Sequence, residues 1–542
     1  MPAQTNRHIP VLIVGAGPTG LTMAATLTKY GVPVRIVEKK PNLSRFTKAT
    51  NLMQRSQEVL YALNLLEAMN DIGGFMCRLM VHSYGKCFGP LTMRLEETPF
   101  KDVILCGQHN FEAVIAKALE LRGISIEFNT ELKHLQQIPN SVVATLQGSG
   151  TTEEIQCDYV IGCDGATGIT RTFTKYDFEP KKTGVSIRQI DCKLKWRRLS
   201  TMDQLWLFYF KNGFATVVPL PGGMHRVLTI EPKDCMPERN PTLEEMQTRI
   251  REITTDDSVV LSDPEWFSYT DLSMGIASGL RDGRIILTGD VGNPILPNGG
   301  QGMNTGISDA FNLGWKLAST LKHGAPDVLI DTYEQERHTL RTKLQNTQYF
   351  SLKYTTLVTP KWMQALLCWL GEPLLRWGGE YKMAQAFSQL TINTRESPLT
   401  LEKMGTKGLR AGDRALNADI SKDTETVQIY ELIYVGGWTL LAFTGTKEIN
   451  CHALIKAINT FGRADLSRYV VSTHSQIAST VPILYDLDEV AHRTYQVKKP
   501  TLYLIRPDGY VGARVSPTEV GRLSQYATRW IPQGTLSLAF QN

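Results

Sequence analysis

Arg284-Ile-Ile-Leu-Thr-Gly-Asp290 runs directly into Val291-Gly-Asn-Pro-Ile-Leu-Pro-Asn-Gly-Gly-Gln-Gly-Met-Asn304. An apolar, β-rich run ending in Gly289-Asp290 predicts a buried strand whose last residue emerges at the carboxyl edge of a sheet, where open α/β folds hold their ligands. Asp290 is therefore a candidate ligand contact. The glycine-dense stretch behind it, with Pro297, Gly300 and Gly302 as further candidates, lets backbone N–H groups approach a flat or anionic group. From about Gln301 the pattern turns helical, with Met303, Ile307, Ala310, Phe311 and Leu313 on one broad face. The positive end of its dipole, at Gly302, Met303 and Asn304, faces the ligand. A turn-rich surface loop would have a similar composition, and the N-terminus separates the two readings.

His8-Ile-Pro-Val-Leu-Ile-Val14 is a short apolar strand that enters Gly15-Ala16-Gly17-Pro18-Thr19-Gly20, then a helix closed by Gly31, then a second strand ending at Glu38. Gly15 permits the tight turn, Gly17 lets a pyrophosphate touch the backbone, Gly20 lets helix and strand pack, and Glu38 can accept both ribose hydroxyls. This context predicts dinucleotide binding. A nicotinamide dehydrogenase needs no second, distant Gly-Asp in the same domain, so Asp290 points to a flavin, whose reduced ring carries negative charge.

The chain has 542 residues, 42 % hydrophobic and 20 % charged, an ordinary globular composition with room for several domains. A net charge of +5 over this length implies no nucleic-acid partner. Nine scattered cysteines without C-x-x-C spacing favour neither a disulfide framework nor a metal site. With no signal-like or membrane-spanning run, a cytoplasmic protein is expected. Two further pieces support the ligand site. Gln108 opens an amphipathic helix and can stand beside a cofactor, and Ile155 to Cys163 is a strand leading to Asp164, a second acid at a strand's end.

These motifs in this order resemble the group A flavoprotein monooxygenases, the aromatic hydroxylases related to para-hydroxybenzoate and phenol hydroxylases. The resemblance rests on Gly15 to Gly20 with Glu38, Asp164-Gly165, Gly289-Asp290, Pro297, Gly300 to Asn304 and Tyr333-Glu-Gln-Glu-Arg337. It implies an α/β fold with a glutathione-reductase-type Rossmann FAD domain, a β-sheet substrate domain and a C-terminal thioredoxin-like domain. It also implies FAD as cofactor, NADPH or NADH as cosubstrate, O2, and an aromatic, phenolic or polyketide-like substrate oxygenated through a flavin C4a-hydroperoxide. Lys39, Lys48 and Leu132 join the expected cofactor contacts. No side chain is assigned as catalytic, since the flavin carries the chemistry, with the Pro297 backbone as the one candidate. Asn293, Gly168 and Lys48 depart from the family's usual His, Ser and Arg, which bears on hydrogen bonding where nicotinamide docks and flavin moves. Baeyer-Villiger oxidation and epoxidation use the same scaffold, and a flavin-binding scaffold or sensor without turnover is the rival of another class.

The expected organisation is an FAD domain in two parts, 1–172 and 272–345, around a substrate sheet at 173–271. A helical segment, 346–397, packs on the substrate domain, and 398–542 form the thioredoxin-like domain. The middle segment alternates in a strand-like way, and Trp206, Phe208, Tyr209 and Phe210 are candidate substrate linings, with His225 and Arg226 as polar contacts. The Trp-rich run at 360–377 is read as part of the packed helical segment. Past Pro398, strands at Ile429 to Val435, Trp438 to Thr444 and Tyr469 to Ser472, a helix near His452 to Phe461, and a hairpin turning at Pro507-Asp508-Gly509 carry the thioredoxin-like resemblance. Without C-x-x-C, a structural or homodimer-related role is expected there.

Overall fold

The computed structural model describes residues 8–45, 49–83, 86–199, 201–235, 237–297, 299–353, 379–422, 425–435, 437–446 and 451–534. Lys48 and the Trp-rich 360–377 run lie outside them. The described residues divide into two units by contact: the first draws on Met1–Ala25, Val34–Ala310 and Thr339–Gln389, the second on Thr26–Pro33, Phe311–His338 and the chain from Leu390 on.

In the first unit, strand His8–Val14 pairs in parallel with both Val34–Val37 and Thr152–Gly162. Burial on both faces explains the unbroken apolar run from Val11 to Val14, each residue at most 6 % exposed. Beyond Thr152–Gly162 comes Ile285–Leu287, also parallel. The strand expected to reach Asp290 is therefore only three residues long, and Gly289–Val291 is a 3-10 turn. Its pairing partners end at Gly162, whose carbonyl accepts the Thr288 N–H at 2.9 Å. Asp290 stands past the sheet rather than on it.

A second sheet in the same unit has seven strands, in the order Val260–Met274, Lys181–Lys195, Met224–Pro232, Gly213–Pro219, Gln204–Phe210, Arg78–Ser83 and Lys86–Thr92. The last two come from far upstream of the segment expected to form it. Gln204–Phe210 takes Arg78–Ser83 as a parallel neighbour. Helix Leu243–Thr254, closed at its start by a Thr242–Glu245 capping box, covers one face through Met246 and Ile250.

Helix Gln301–His323 is not amphipathic: every residue from Met303 to Ala318 is buried. Asn304, Thr305, Asp309, Asn312 and Lys316 on it each find a specific partner, as a buried polar group generally must.

The second unit holds an eight-stranded sheet. At its centre Thr439–Phe443 runs parallel to Ser467–Ser472 and antiparallel to Thr501–Ile505, which pairs antiparallel with Val511–Val515. Helices His452–Phe461, Val490–Tyr495 and Val520–Trp530 interleave in the chain. Ile429–Ile433, expected as a strand, is a short helix. A five-residue segment is too short for a period to choose between the two.

Candidate active site

A cavity of about 1200 Å3 lies in the first unit, with two glycine turns on one side and one face of the seven-stranded sheet on the other. Gly15 has a φ of +103°, and a Cβ there would stand 2.5 Å from the Cys163 carbonyl oxygen. At Gly20 the same atom would stand 2.0 Å from the Gly15 oxygen, whereas at Gly17 it would meet nothing within 4 Å. Two glycines thus allow the turn and its packing, and the third opens the backbone to the cavity. Glu38 follows its strand into the cavity wall. One carboxylate oxygen accepts the Ala16 N–H at 2.9 Å and the other the Lys40 N–H at 3.0 Å, which leaves acceptor capacity for hydroxyl groups. Pro18, Thr19, Lys39 and Leu132 line the same end.

Thr19 brings the two distant motifs together. A Cβ on Gly289 or on Gly306 would come within 2.7 and 2.3 Å of its hydroxyl oxygen, so both positions must be glycine for the second turn to close on the first. Asp290, Pro297, Gly300, Gly302 and Met303 line the cavity from this side. At Gly302 an added Cβ would find only the Ile295 oxygen, 3.9 Å away. Asn304 acts instead as a clasp. Its amide oxygen accepts from Met53 N–H at 2.9 Å and Ser56 Oγ at 2.7 Å, and its nitrogen donates to the Asn51 and Gly300 carbonyls at 2.9 and 2.8 Å. The loop before the helix is anchored from behind: Arg341 donates to the Asn293 carbonyl and Gln345 to that of Pro294 at 2.9 Å. Asn293 is buried, its side-chain oxygen accepting the Ala277 N–H at 3.0 Å.

Asp164 lies in the cavity wall next to the first turn. Burial pushes its carboxyl pKa up, against two 2.9 Å hydrogen bonds from the Thr170 N–H and hydroxyl. Arg171 donates to the Val291 carbonyl at 2.6 Å, which ties this loop to the turn carrying Asp290. Gln108 also lines the cavity, its amide donating to Glu112 at 2.7 Å. Burial raises the pKa of the Glu112 carboxyl.

On the sheet, the strand alternation decides which candidates meet the cavity. Leu205, Leu207 and Tyr209 line it, whereas Trp206 and Phe208 belong to the core under helix Leu243–Thr254, with Phe210 packed against them. These three are not linings, because successive side chains of a strand take opposite faces and this face is covered. His225 is likewise excluded. It is 2 % exposed with neither ring nitrogen hydrogen-bonded, and burial pushes its pKa down to about 4. Its neighbour Arg226 does reach the cavity, held by Asp191 at 2.8 Å through two parallel hydrogen bonds. Residues that no local pattern signalled complete the wall, among them Met76, Gln189, Leu344 and Phe387. Among the described residues no cluster suited to a metal ion occurs, and no helix is long and apolar enough to cross a membrane.

Residues 8–347 match the model of a family described as FAD binding domain. The chain belongs to the group A FAD-dependent aromatic hydroxylases. It is 32 % identical to a rifampicin monooxygenase of Streptomyces venezuelae over 67 % of this chain and 75 % of the relative. It is 26 % identical to the 6-methylpretetramide 4-monooxygenase of Streptomyces rimosus over 93 % of this chain and 90 % of the relative. Among solved structures, the flavin-dependent monooxygenase PieE, crystallised with FAD and substrate, superposes with a TM-score of 0.76 at 19 % identity, covering 97 % of this chain and 99 % of that one. The lining fits such a cofactor, since Gly17 leaves its backbone open to the cavity and the Glu38 carboxylate keeps acceptor capacity beside it.

Replacing Glu38 with alanine removes those acceptors. Charge-assisted hydrogen bonds of this kind are worth about 1.5–3 kcal/mol, so FAD affinity is expected to fall by roughly 10- to 150-fold. Flavin fluorescence released on dilution measures it, and unchanged retention would count against the assignment.

Proposed function

We propose that this protein is an NAD(P)H-dependent monooxygenase that inserts one oxygen atom of O2 into an extended, multi-ring phenolic compound. The observation that carries this reading is the continuity of one cavity from the nucleotide turn to the apolar sheet face. At about 1200 Å3 it exceeds the roughly 300–1,000 Å3 usual for one small ligand, so it has room for a cofactor and a second large molecule. The relatives support the substrate class, since those named above act on rifampicin and on 6-methylpretetramide.

FAD, when bound, supplies the storage of two electrons and the activation of O2. Gly17, Glu38, Gln108, Asp290 and the 300–303 turn would hold it. Leu205, Leu207, Leu228 and Ile230 form a wall that keeps water from the reacting ring and strengthens the polar contacts that remain. Arg226 and Gln189 line the same cavity and would orient an oxygen substituent of the substrate. In the second unit, the β-α-β-β-α-β-β-α order from Thr439 to Trp530, with its parallel and antiparallel pairs, supports a thioredoxin-like domain.

NAD(P)H oxidation by the purified protein, measured with a panel of phenols, tests the proposal. Multi-ring phenols are expected to stimulate it and yield a product heavier by one oxygen. Stimulation by single-ring phenols alone would refute the substrate class.

The start of helix Gln301–His323 gives a second expectation. Backbone N–H groups there would stabilise negative charge on a bound flavin, an effect of about 0.3–2 kcal/mol, or on the order of 10–40 mV for two electrons. Gly302→Val fills the open space at this point and is expected to lower the flavin potential by that amount. A spectroelectrochemical titration reads it, and a potential equal to wild type with flavin bound would place the stabilisation elsewhere.

A further inference from the structure

Asp191 and Arg226 stand directly opposite each other on the neighbouring antiparallel strands Lys181–Lys195 and Met224–Pro232. Opposed residues of such a pair share a face, and here it is the cavity face. Ile187 and Gln189, which alternate with Asp191, line the cavity, as do Leu228 and Ile230, which alternate with Arg226. Both members of the pair are buried, and the guanidinium meets the carboxylate through two parallel 2.8 Å hydrogen bonds. Across Asp191 on its other side the register places Trp266, and the Arg226 guanidinium lies 5.2 Å from the centre of that ring. Arg226 reaches the cavity wall, whereas Asp191 stops short of it.

Among the described residues, the seven-stranded sheet contributes two charged side chains to the cavity wall, Arg226 and Asp271. Each is matched. Asp271 accepts from Lys233, Ser186 and Tyr269, all at 2.7 Å, and the Lys233 bond leads in pulling its pKa down to about 2, so it is ionised and its partner cation is engaged. His109, at the start of the helix that Gln108 opens, feels the charges of both Asp191 and Arg226, but burial pushes its pKa down and it adds no cation near neutral pH. The lysines of the cavity, Lys39 and Lys40, stand beside Glu38 at the nucleotide end. A carboxylate brought against the sheet would therefore be an anion buried without a counter-charge, which is costly.

We propose that Asp191 is a specificity-determining residue that acts through Arg226: by matching the guanidinium charge it makes the sheet side of the cavity accept ring systems whose oxygen groups are uncharged and reject the same rings bearing a carboxylate. Arg226 then serves as a hydrogen-bond donor to a hydroxyl or carbonyl group and not as a net charge. The inference rests on the reading that a multi-ring phenol binds against this sheet. It narrows that reading from aromatic compounds at large to electrically neutral ones.

Titration of the oxidised holoprotein near neutral pH with a hydroxyanthraquinone and with its carboxylated analogue, read from the shift in flavin absorbance, tests it as a ratio of two dissociation constants. Wild type is expected to hold the uncharged compound more tightly. Asp191→Asn keeps the shape and unmatches the guanidinium, so the ratio is expected to move toward the carboxylate by roughly tenfold or more, the scale of one ionic contact near a protein surface. The Asp191→Asn/Arg226→Gln pair removes both charges and is expected to return the ratio to the wild-type side, which a merely structural defect would not do. Should Asp191→Asn not fold, Arg226→Gln alone leaves Asp191 unmatched and is expected to move the ratio the opposite way. A wild type that prefers the carboxylate, a ratio unchanged in the single variant, or one that stays shifted in the pair would overturn the proposal. A wild type that binds neither compound would instead overturn the multi-ring reading beneath it.

Discussion

Glu336→Ala is expected to destabilise the second unit by about 3–5 kcal/mol, the usual consequence of removing one member of a buried ionic cluster and leaving its partners unpaired. The Glu336 side chain is 1 % exposed, and those of Lys316 and Arg506 are fully buried. Its carboxylate accepts from Arg506 at 2.6 and 3.0 Å, Lys316 at 2.8 Å, Asn312 at 2.8 Å and Ser397 at 2.6 Å. Asp508 completes the cluster, accepting from Arg506 at 2.6 Å and from the Trp315 indole at 3.0 Å. Burial by itself would raise the Glu336 pKa, but Arg506 and Lys316 hold it well below the usual carboxylate range. A depressed folded-state pKa contributes stability that is complete above the unfolded value, near 4.3, and is lost as pH falls toward the folded one. Wild type is thus expected to lose stability on acidification more steeply than Glu336→Ala does. Denaturant unfolding as a function of pH measures both effects, and parallel curves would show that Glu336 is not the charged hub.

Arg341→Ala is expected to cost a similar amount, about 3–5 kcal/mol, in the first unit and to loosen the cofactor at the same time. Arg341 is 1 % exposed and donates through Nε to Asp309, itself fully buried, at 2.6 Å, and through another nitrogen to the Asn293 carbonyl. The substitution strands the Asp309 charge and frees the loop that leads to Pro297 and Gly300. Thermal unfolding and FAD release are expected to change together. Loss of stability with unchanged FAD release would mean that the loop does not depend on this anchor.

The first turn was legible in the sequence because its requirements are local. Gly15 needs a positive φ, Gly17 an open side and Gly20 a close approach, and three glycines at fixed spacing in a strand-turn-helix context state all of that. What depended on distant partners was not legible. Alternation marked Gln204–Phe210 as a strand but could not say which face met the cavity, because both are covered and Trp206 looks as suitable as Tyr209. The Arg78–Ser83 strand joins that sheet through parallel pairing with a distant segment, which leaves no trace in either sequence. Pro507-Asp508-Gly509 reads as a hairpin turn, a local signal that says nothing of whether Asp508 is buried. Its burial follows from Arg506, Trp315 and Asn312, which only the folded chain brings to it.

The proposed reaction brings FAD and an aromatic molecule together in one cavity for oxygen transfer. Turnover with NAD(P)H under isotopically heavy O2 in ordinary water, with mass analysis of the product, tests it most directly. The expected product is a multi-ring phenol carrying a single heavy oxygen atom. A product whose added oxygen comes from water, or NAD(P)H oxidised with the phenol returned unchanged, would contradict it.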